Sequence, residues 1–207
     1  MNAFQKAGVG TTILPPPRFL AMQTGVELVF SLRHDDKTCP VLQVVSARNG
    51  EGVTTVAWDL ALVAAGPVGL RVLLVAVEPS GSWPGQLFHD SPYGARVAQT
   101  RQLGETRLHV AQLEAGDTPA AWLSSLQSWR EWFDFIVLDA PALERSAAGV
   151  LLAADVDTSL LVVAAEKTPL DEVRMLRDRL RGAGGHVQGT VLNQRRERLP
   201  WILRKRL

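Results

Sequence analysis

The sequence predicts an α/β fold in which a mostly parallel sheet carries helices on both faces. Short apolar runs alternate along the chain with segments of helical spacing. A strand that is apolar at every position is typical of a sheet covered on both sides, because neither face then meets water. Two further features fit this fold: a glycine-rich turn directly after the first predicted strand, and Asp139 at the carboxyl end of a later one. In such sheets, ligands bind at the carboxyl ends of the strands.

The predicted elements alternate regularly after an initial helix. Strands are identified by β-branched apolar runs, and helices by apolar residues at helical spacing. Thr118 and Pro119 form an N-cap and first helical position, and glycines end the last helix. In chain order, the elements are helix 24–36, strand 40–47, helix 54–65, strands 71–77 and 107–113, helix 118–133, strand 133–141, helix 146–156, strand 158–165, helix 168–184 and strand 187–193.

Length and composition fit one globular domain. The chain has 207 residues, 46% of them hydrophobic, and a net charge of +1, which does not favour a nucleic-acid partner. A lone cysteine, Cys39, excludes an internal disulfide and a cysteine metal cluster. We expect a flexible N-terminal arm in residues 1–24, a domain in residues 25–194 and a basic amphipathic tail in residues 195–207.

The predicted tail combines charge with apolar side chains. It mixes six basic residues with Trp201 and several leucines. This composition is typical of a segment that docks on a membrane surface or on a partner, and a solvated tail is the alternative. No run of about 18 apolar residues occurs, so the chain is not expected to cross a membrane by itself.

The glycine-rich turn, SARNGEGVTT in residues 46–55, is similar to a phosphate-binding loop. Such a loop directs backbone N–H groups at a phosphate, and the following helix adds the positive end of its dipole. Taken alone, the turn is equally consistent with one that holds no ligand. The residues expected to bind nucleotide through their backbone amides are Gly50, Glu51, Gly52, Val53, Thr54 and Thr55.

The side chains of this loop depart from the pattern at its most diagnostic position. Val53 stands where a lysine should reach the β and γ phosphates, whereas Thr54 keeps the hydroxyl that holds Mg²⁺. Asp139, at the end of its apolar strand, is placed to bind Mg²⁺ together with Thr54. The alternative for Asp139 is an ordinary cap of the following turn.

Together these segments resemble the cytoplasmic domain of bacterial tyrosine kinases (BY-kinases), the ATPase half of polysaccharide co-polymerases. These kinases lie within the deviant Walker-A class of P-loop ATPases. SARNGEGVTT is similar to the Walker A loop, RVLLVAVEPSGSWPGQLF to the Walker A′ segment, and FDFIVLDAPAL to Walker B. RLHVAQLEAG, VDTSLLVVAAEKTPLDEV and GTVLN are similar to later strands and a helix. The resemblance covers roughly residues 25–194 and implies a P-loop NTPase-like fold.

The resemblance also assigns roles to residues outside the loop. Asp139 takes the catalytic Walker B position, and Asn193 is implied to lie near the adenine. Ala76 and Glu78 occupy the places of the Walker A′ Asp-x-Asp pair. Ala76 cannot organise Mg²⁺, and Glu78 keeps a charge displaced by one methylene, so it is the remaining catalytic candidate of this segment. Arg48 matches the signature lysine of partitioning ATPases and is interpreted first as a solvated charge, second as a phosphate ligand.

The resemblance implies a degenerate BY-kinase-like pseudokinase. It would regulate or scaffold exopolysaccharide polymerisation and export, in the cytoplasm and peripheral to the inner membrane. The implied partners are a membrane-embedded polysaccharide co-polymerase subunit and further copies of the chain. ATP or ADP with Mg²⁺ is the implied ligand, and a loop that binds none is the alternative. The other hypotheses are an active ATPase or tyrosine autokinase without the lysine, and a partitioning-type positioning ATPase.

Residue spacing also indicates the roles of the tryptophans and the histidines. Trp122, Trp129 and Trp132 are predicted to share one face of a helix, with core packing favoured and an exposed partner surface as the alternative. The four histidines show no metal-binding spacing, and His109 is expected to be structural.

Overall fold

The computed structural model of the chain describes residues 22–31, 39–78, 100–113 and 116–194. Most predicted elements are present there within a few residues of their predicted bounds. In chain order they are α1 (Met22–Ser31), β1 (Val41–Ser46), α2 (Val53–Ala65), β2 (Val72–Val77), β3 (Arg101–Gln102), β4 (Leu108–Leu113), α3 (Pro119–Arg130), β5 (Phe135–Asp139), α4 (Ala148–Leu151), β6 (Thr158–Ala164), α5 (Leu170–Gly182) and β7 (Val187–Asn193).

The strands form one sheet in the order β3-β4-β2-β5-β1-β6-β7. Every pairing is parallel except that of β3 with β4. β1, β2 and β5 lie at the centre and are buried at every position, as their continuous apolar sequences predicted. Their carboxyl ends lie side by side, since Asp139 is in register with Val44 of β1 and with Ala76 of β2.

The two faces of the sheet carry separate layers of helices, which confirms the predicted architecture. Side chains alternate between the faces, so Leu74 of β2 packs beneath α2 while Leu73 packs on the α3 side. α1 joins α2 on the first face through the buried Val29. On the second face, Trp122 and Trp129 of α3 are buried, and α5 packs against the sheet farther along.

Three elements differ from the prediction. β3 was not predicted, because its two exposed polar residues carry no apolar pattern. Helix 146–156 shortens to α4, since the backbone N–H groups of Ala153 and Asp155 donate to carbonyls three residues back, in turns, instead of four residues back as in an α-helix. α1 begins at Met22, so the last residues of the predicted arm are helical.

Several predictions fall outside the described residues. These are most of the N-terminal arm, the basic tail and the second half of the Walker A′ segment. The domain boundaries at residues 24 and 194 therefore stay predictions. Among the described helices, none combines the length and apolar character needed to cross a membrane.

The tryptophans divide between the core and the surface. Trp122 and Trp129 are buried in α3, which confirms core packing for both. Trp132 lies beyond the end of α3 and is 66% exposed, so it does not share their face. His109 packs edge-on against Phe133 with ring centroids 5.1 Å apart, and burial lowers its pKa. The described residues contain no group of three or more histidine, cysteine, aspartate or glutamate side chains that could hold a metal ion.

Cys39 provides a test of the fold at the amino-terminal edge of β1. Its thiol is buried, and desolvation raises its pKa from 9.0 to about 11. At pH 8 the reactive thiolate is therefore depleted roughly 100-fold relative to an ordinary thiol. We expect the native protein to react with a disulfide reagent at least that much more slowly than the urea-unfolded chain, followed by absorbance. Equal rates in both states would contradict the burial of Cys39.

Candidate functional site

The loop between β1 and α2 has the geometry of an anion cradle. Gly50 and Gly52 adopt φ values of +76° and +96°, a left-handed conformation that glycine accepts without strain. Gly52 caps α2 and provides no side-chain acceptor to its first turn. Within the described residues, the backbone N–H groups of residues 50–55 donate to no protein acceptor. These donors, at the positive end of the helix dipole, are therefore available to an anion.

The side chain of Glu51 holds this loop in place from the inside. Glu51 is only 2% exposed. Its carboxylate accepts hydrogen bonds from the backbone N–H of Arg48 at 2.8 Å, from that of Ala164 at 2.9 Å and from the hydroxyl of Thr168. The sequence placed Glu51 in the site through its backbone amide alone. The structure adds a second role, in which its side chain fastens the loop to the end of β6.

Two amide side chains fasten the loop from the side of β7. The Asn193 side chain donates to the carbonyl of Glu51 at 2.8 Å, and that of Gln194 donates to the carbonyl of Gly50 at 2.6 Å. Asn193 approaches so closely that a Cβ at Gly52 would clash with its side-chain nitrogen. The implied position of Asn193 near the adenine is untested, and its described contact is with the loop backbone.

The loop borders a cleft of about 340 Å³ at the carboxyl ends of the central strands. Residues 50–55 line it together with Arg48 and Asp139, and Asp139 is 6% exposed. The structure thus brings the predicted metal ligands Thr54 and Asp139 to one cleft. A hydroxyl and a carboxylate are oxygen donors that suit Mg²⁺, so these two residues fit the ion that the sequence pattern implies.

The positions at which the sequence departs from the phosphate-loop pattern bring no charged side chain into the described cleft. Val53 is 8% exposed and packs with the apolar core beneath α2 while also lining the cleft. Ala76 is fully buried in register with Asp139 and packs in the core beneath α2. Glu78 follows β2 with φ +47°, and Val77 rather than Glu78 lines the cleft. No described contact of the Glu78 side chain with the cleft therefore supports a catalytic role for Glu78.

Arg48 is engaged in an ion pair at the rim of the cleft. Its Nε and Nη2 atoms donate to the two carboxylate oxygens of Glu172 on α5, each at 2.5 Å. This hydrogen bond and the attraction of the carboxylate raise the pKa of Arg48. The Arg48 side chain is 45% exposed, as expected for a solvated charge, and its guanidinium fork is occupied by the Glu172 carboxylate.

Arg145 is a cleft residue that the sequence analysis missed. It lies six residues after Asp139, lines the cleft, and donates from Nη2 to the carbonyl of Glu78 at 2.8 Å. Its neighbour Glu144 accepts a hydrogen bond from the backbone N–H of Asn49 at 2.5 Å. A basic residue shortly after the carboxyl end of a central strand was the available signal, since that edge is where ligands bind.

Comparison with known proteins identifies the fold. No protein-family model and no curated protein sequence matches the chain. The kinase domain of the Escherichia coli tyrosine kinase ETK matches with a TM-score of 0.68 and 19% identity, over 86% of this chain and 77% of that chain. The VpsO kinase domain matches with a TM-score of 0.68 and 21% identity, over 84% of this chain and 94% of that chain.

A third structure comes from another branch of the same fold. The septum site-determining protein MinD from Pyrococcus horikoshii, solved in complex with Mg-ADP, matches with a TM-score of 0.62 and 20% identity. The match covers 81% of this chain and 76% of that chain. At these identities the likeness establishes the fold, so the prediction of a P-loop NTPase-like α/β domain is confirmed.

Proposed function

We propose that the chain is a nucleotide-binding subunit that does not transfer phosphoryl groups. In this proposal it is a degenerate BY-kinase-like protein that regulates or scaffolds exopolysaccharide polymerisation and export. The observation that carries the proposal is the contrast within one cleft. The backbone donors of residues 50–55 are intact and unpaired in the described chain, whereas Val53 and Ala76 replace the charged side chains of the pattern.

The retained part of the site supports binding. Backbone amides at a helix start can hold the phosphates of ADP or ATP without any contribution from the lysine side chain. Glu51, Asn193 and Gln194 fix the loop in position before a ligand arrives. A preformed loop loses less conformational entropy on binding than a loop that must first become ordered.

The missing part of the site argues against turnover. Phosphoryl transfer depends on positioning and on charge stabilisation in the transition state. Loss of one preorganised donor typically lowers the rate by about 10² to 10³. This cleft lacks both the Walker A lysine and the first Walker A′ carboxylate, and losing two such groups costs more than losing one, although the effects are not additive.

Mg²⁺ held by Thr54 and Asp139 would neutralise phosphate charge.

The cellular role in the proposal rests on the resemblance of the sequence motifs to BY-kinases. The likeness of the fold to the ETK and VpsO kinase domains is consistent with it. The proposed partner is a membrane-embedded co-polymerase chain, which would place this protein in the cytoplasm at the inner membrane. Homo-oligomers and contact of residues 195–207 with the membrane surface belong to the same proposal.

Incubation with γ-labelled ATP and Mg²⁺ tests the absence of chemistry. We expect phosphate release and protein labelling no higher than in the matched variant Asp139→Asn, which keeps the side-chain volume and removes the charge. Mg²⁺-dependent hydrolysis or tyrosine labelling that Asp139→Asn abolishes would instead establish an active enzyme. Nucleotide-dependent dimerisation that is lost in Arg48→Ala would favour a positioning ATPase.

A further inference from the structure

The cleft requires a positive charge if it is to hold a polyphosphate, and its loop side chains do not supply one. A nucleoside diphosphate carries several negative charges, and in the phosphate-loop pattern a lysine balances part of them. Val53 occupies that position with an apolar side chain. Among the described residues that line the cleft, the cationic side chains are Arg48 and Arg145.

Arg48 is the weaker candidate for this role. Its Nε and Nη2 atoms donate to the two oxygens of the Glu172 carboxylate, so its charge is already balanced at short range. Withdrawing it toward a phosphate would leave Glu172 without this partner. The gain from a new phosphate contact would therefore be offset by the loss of a bidentate pair.

Arg145 is bound in a different way. Its described side-chain hydrogen bond goes to the neutral carbonyl of Glu78, and it forms no ion pair with a carboxylate of the described chain. Within the described chain, no carboxylate in direct contact therefore balances the charge of this guanidinium beside the cleft. Arginine has five N–H donors, so one bond to Glu78 leaves enough of them for a bidentate contact with phosphate oxygens.

The backbone around Arg145 is fastened to the phosphate loop. Leu143 donates its backbone N–H to the carbonyl of Ser46 at 2.9 Å, and Glu144 donates to that of Ala47 at 3.1 Å. The Glu144 carboxylate accepts the N–H of Asn49 at 2.5 Å in return. Three hydrogen bonds thus hold the turn that carries Arg145 against the first half of the loop, which limits the motion of its backbone relative to the cradle.

We propose that Arg145 replaces the Walker A lysine and binds the pyrophosphate group of a nucleoside diphosphate or triphosphate. The cation comes from the turn after β5 instead of from the loop itself. Arg145 is a binding residue in this proposal, and its guanidinium contacts phosphate oxygens while the loop amides hold the other side of the anion. The proposal rests on the nucleotide binding proposed above and identifies the side chain on which that binding depends.

The test is titration of the full chain with a fluorescent ADP analogue, with unlabelled ADP and inorganic pyrophosphate as competitors. Arg145→Gln keeps a donor for the Glu78 carbonyl and removes the charge. We expect it to weaken both ADP and pyrophosphate at least about 10-fold, a typical effect for a charge-assisted phosphate contact. Arg145→Lys should restore part of the affinity. Arg174→Gln removes an exposed arginine of α5 that pairs with Asp171, and should match the wild type.

Each outcome decides a separate point. If Arg145→Gln binds ADP and pyrophosphate with wild-type affinity, the role of Arg145 is overturned and nucleotide binding stands. This holds whether or not a further variant, Arg48→Gln, loses affinity. Loss of ADP affinity with unchanged pyrophosphate competition would also overturn it, because the contact would then not be to the phosphates. A wild-type chain that binds neither probe would overturn this proposal together with nucleotide binding. Melting temperatures measured without ligand verify that each variant is folded. If Arg145→Gln is not folded, Arg145→Ala is tested in its place.

Discussion

Glu51→Ala is expected to lower the free energy of unfolding by about 3 kcal/mol, the scale for removing a buried, multiply hydrogen-bonded carboxylate. The Glu51 carboxylate is the shared acceptor for Arg48, Ala164 and Thr168. Without it, the buried backbone N–H of Ala164 loses its described side-chain partner and a cavity forms beneath the loop. Urea unfolding monitored by tryptophan fluorescence measures the change.

Two variants sharpen this experiment. Glu51→Gln keeps the volume and one carbonyl oxygen, so we expect an intermediate loss. Glu131→Ala removes an exposed carboxylate at the end of α3 and should change stability by less than about 0.5 kcal/mol. A loss below about 1 kcal/mol in Glu51→Ala would contradict the interpretation of Glu51 as a structural clamp.

Val53→Lys is expected to raise the affinity for ADP at least about 10-fold, because it returns a cation to the start of α2. Val53 both lines the cleft and packs in the core, so the lysine can extend toward a ligand while its stem stays among apolar side chains. Stability should fall by about 1 kcal/mol, the scale for lost apolar burial. ATP turnover should stay absent, since Ala76 still provides no carboxylate.

The control for charge at this position is Val53→Met, which has a comparable reach and no charge. It should bind ADP as the wild type does, in the same calorimetric titration. An equal gain in both variants would show that shape rather than charge limits binding. No gain in Val53→Lys would contradict the interpretation that the cleft is a phosphate site deprived of its lysine.

The sequence was sufficient for the fold because its signals were local and repeated. Apolar runs identified the central strands, and Thr118 with Pro119 identified the start of α3, where the Thr118 side chain accepts the N–H of Ala121. The position of Asp139 at the cleft followed from its place at the end of β5. Such features depend on the residues of one segment, so they can be read without the tertiary structure.

The missed features depend on contacts between distant segments. Glu51 meets Ala164 and Thr168, which lie 113 and 117 residues away in sequence, and no local pattern marks a glutamate as buried. Arg145 gained its place through the turn that binds back to the loop after β1. The Gln43 side chain of β1 donates to the Gly149 carbonyl of α4 across 106 residues of sequence, which no local pattern marks either.

We propose that this site binds nucleotide although Val53 stands where the phosphate-loop pattern has a lysine. Calorimetric titration of the purified chain with ADP, with and without Mg²⁺, tests this binding most directly. We predict saturable binding at about one ADP per chain, with a dissociation constant below ~1 mM. Absence of binding up to millimolar ADP under both conditions would contradict the claim, and would leave the loop as a structural turn whose backbone donors meet only water.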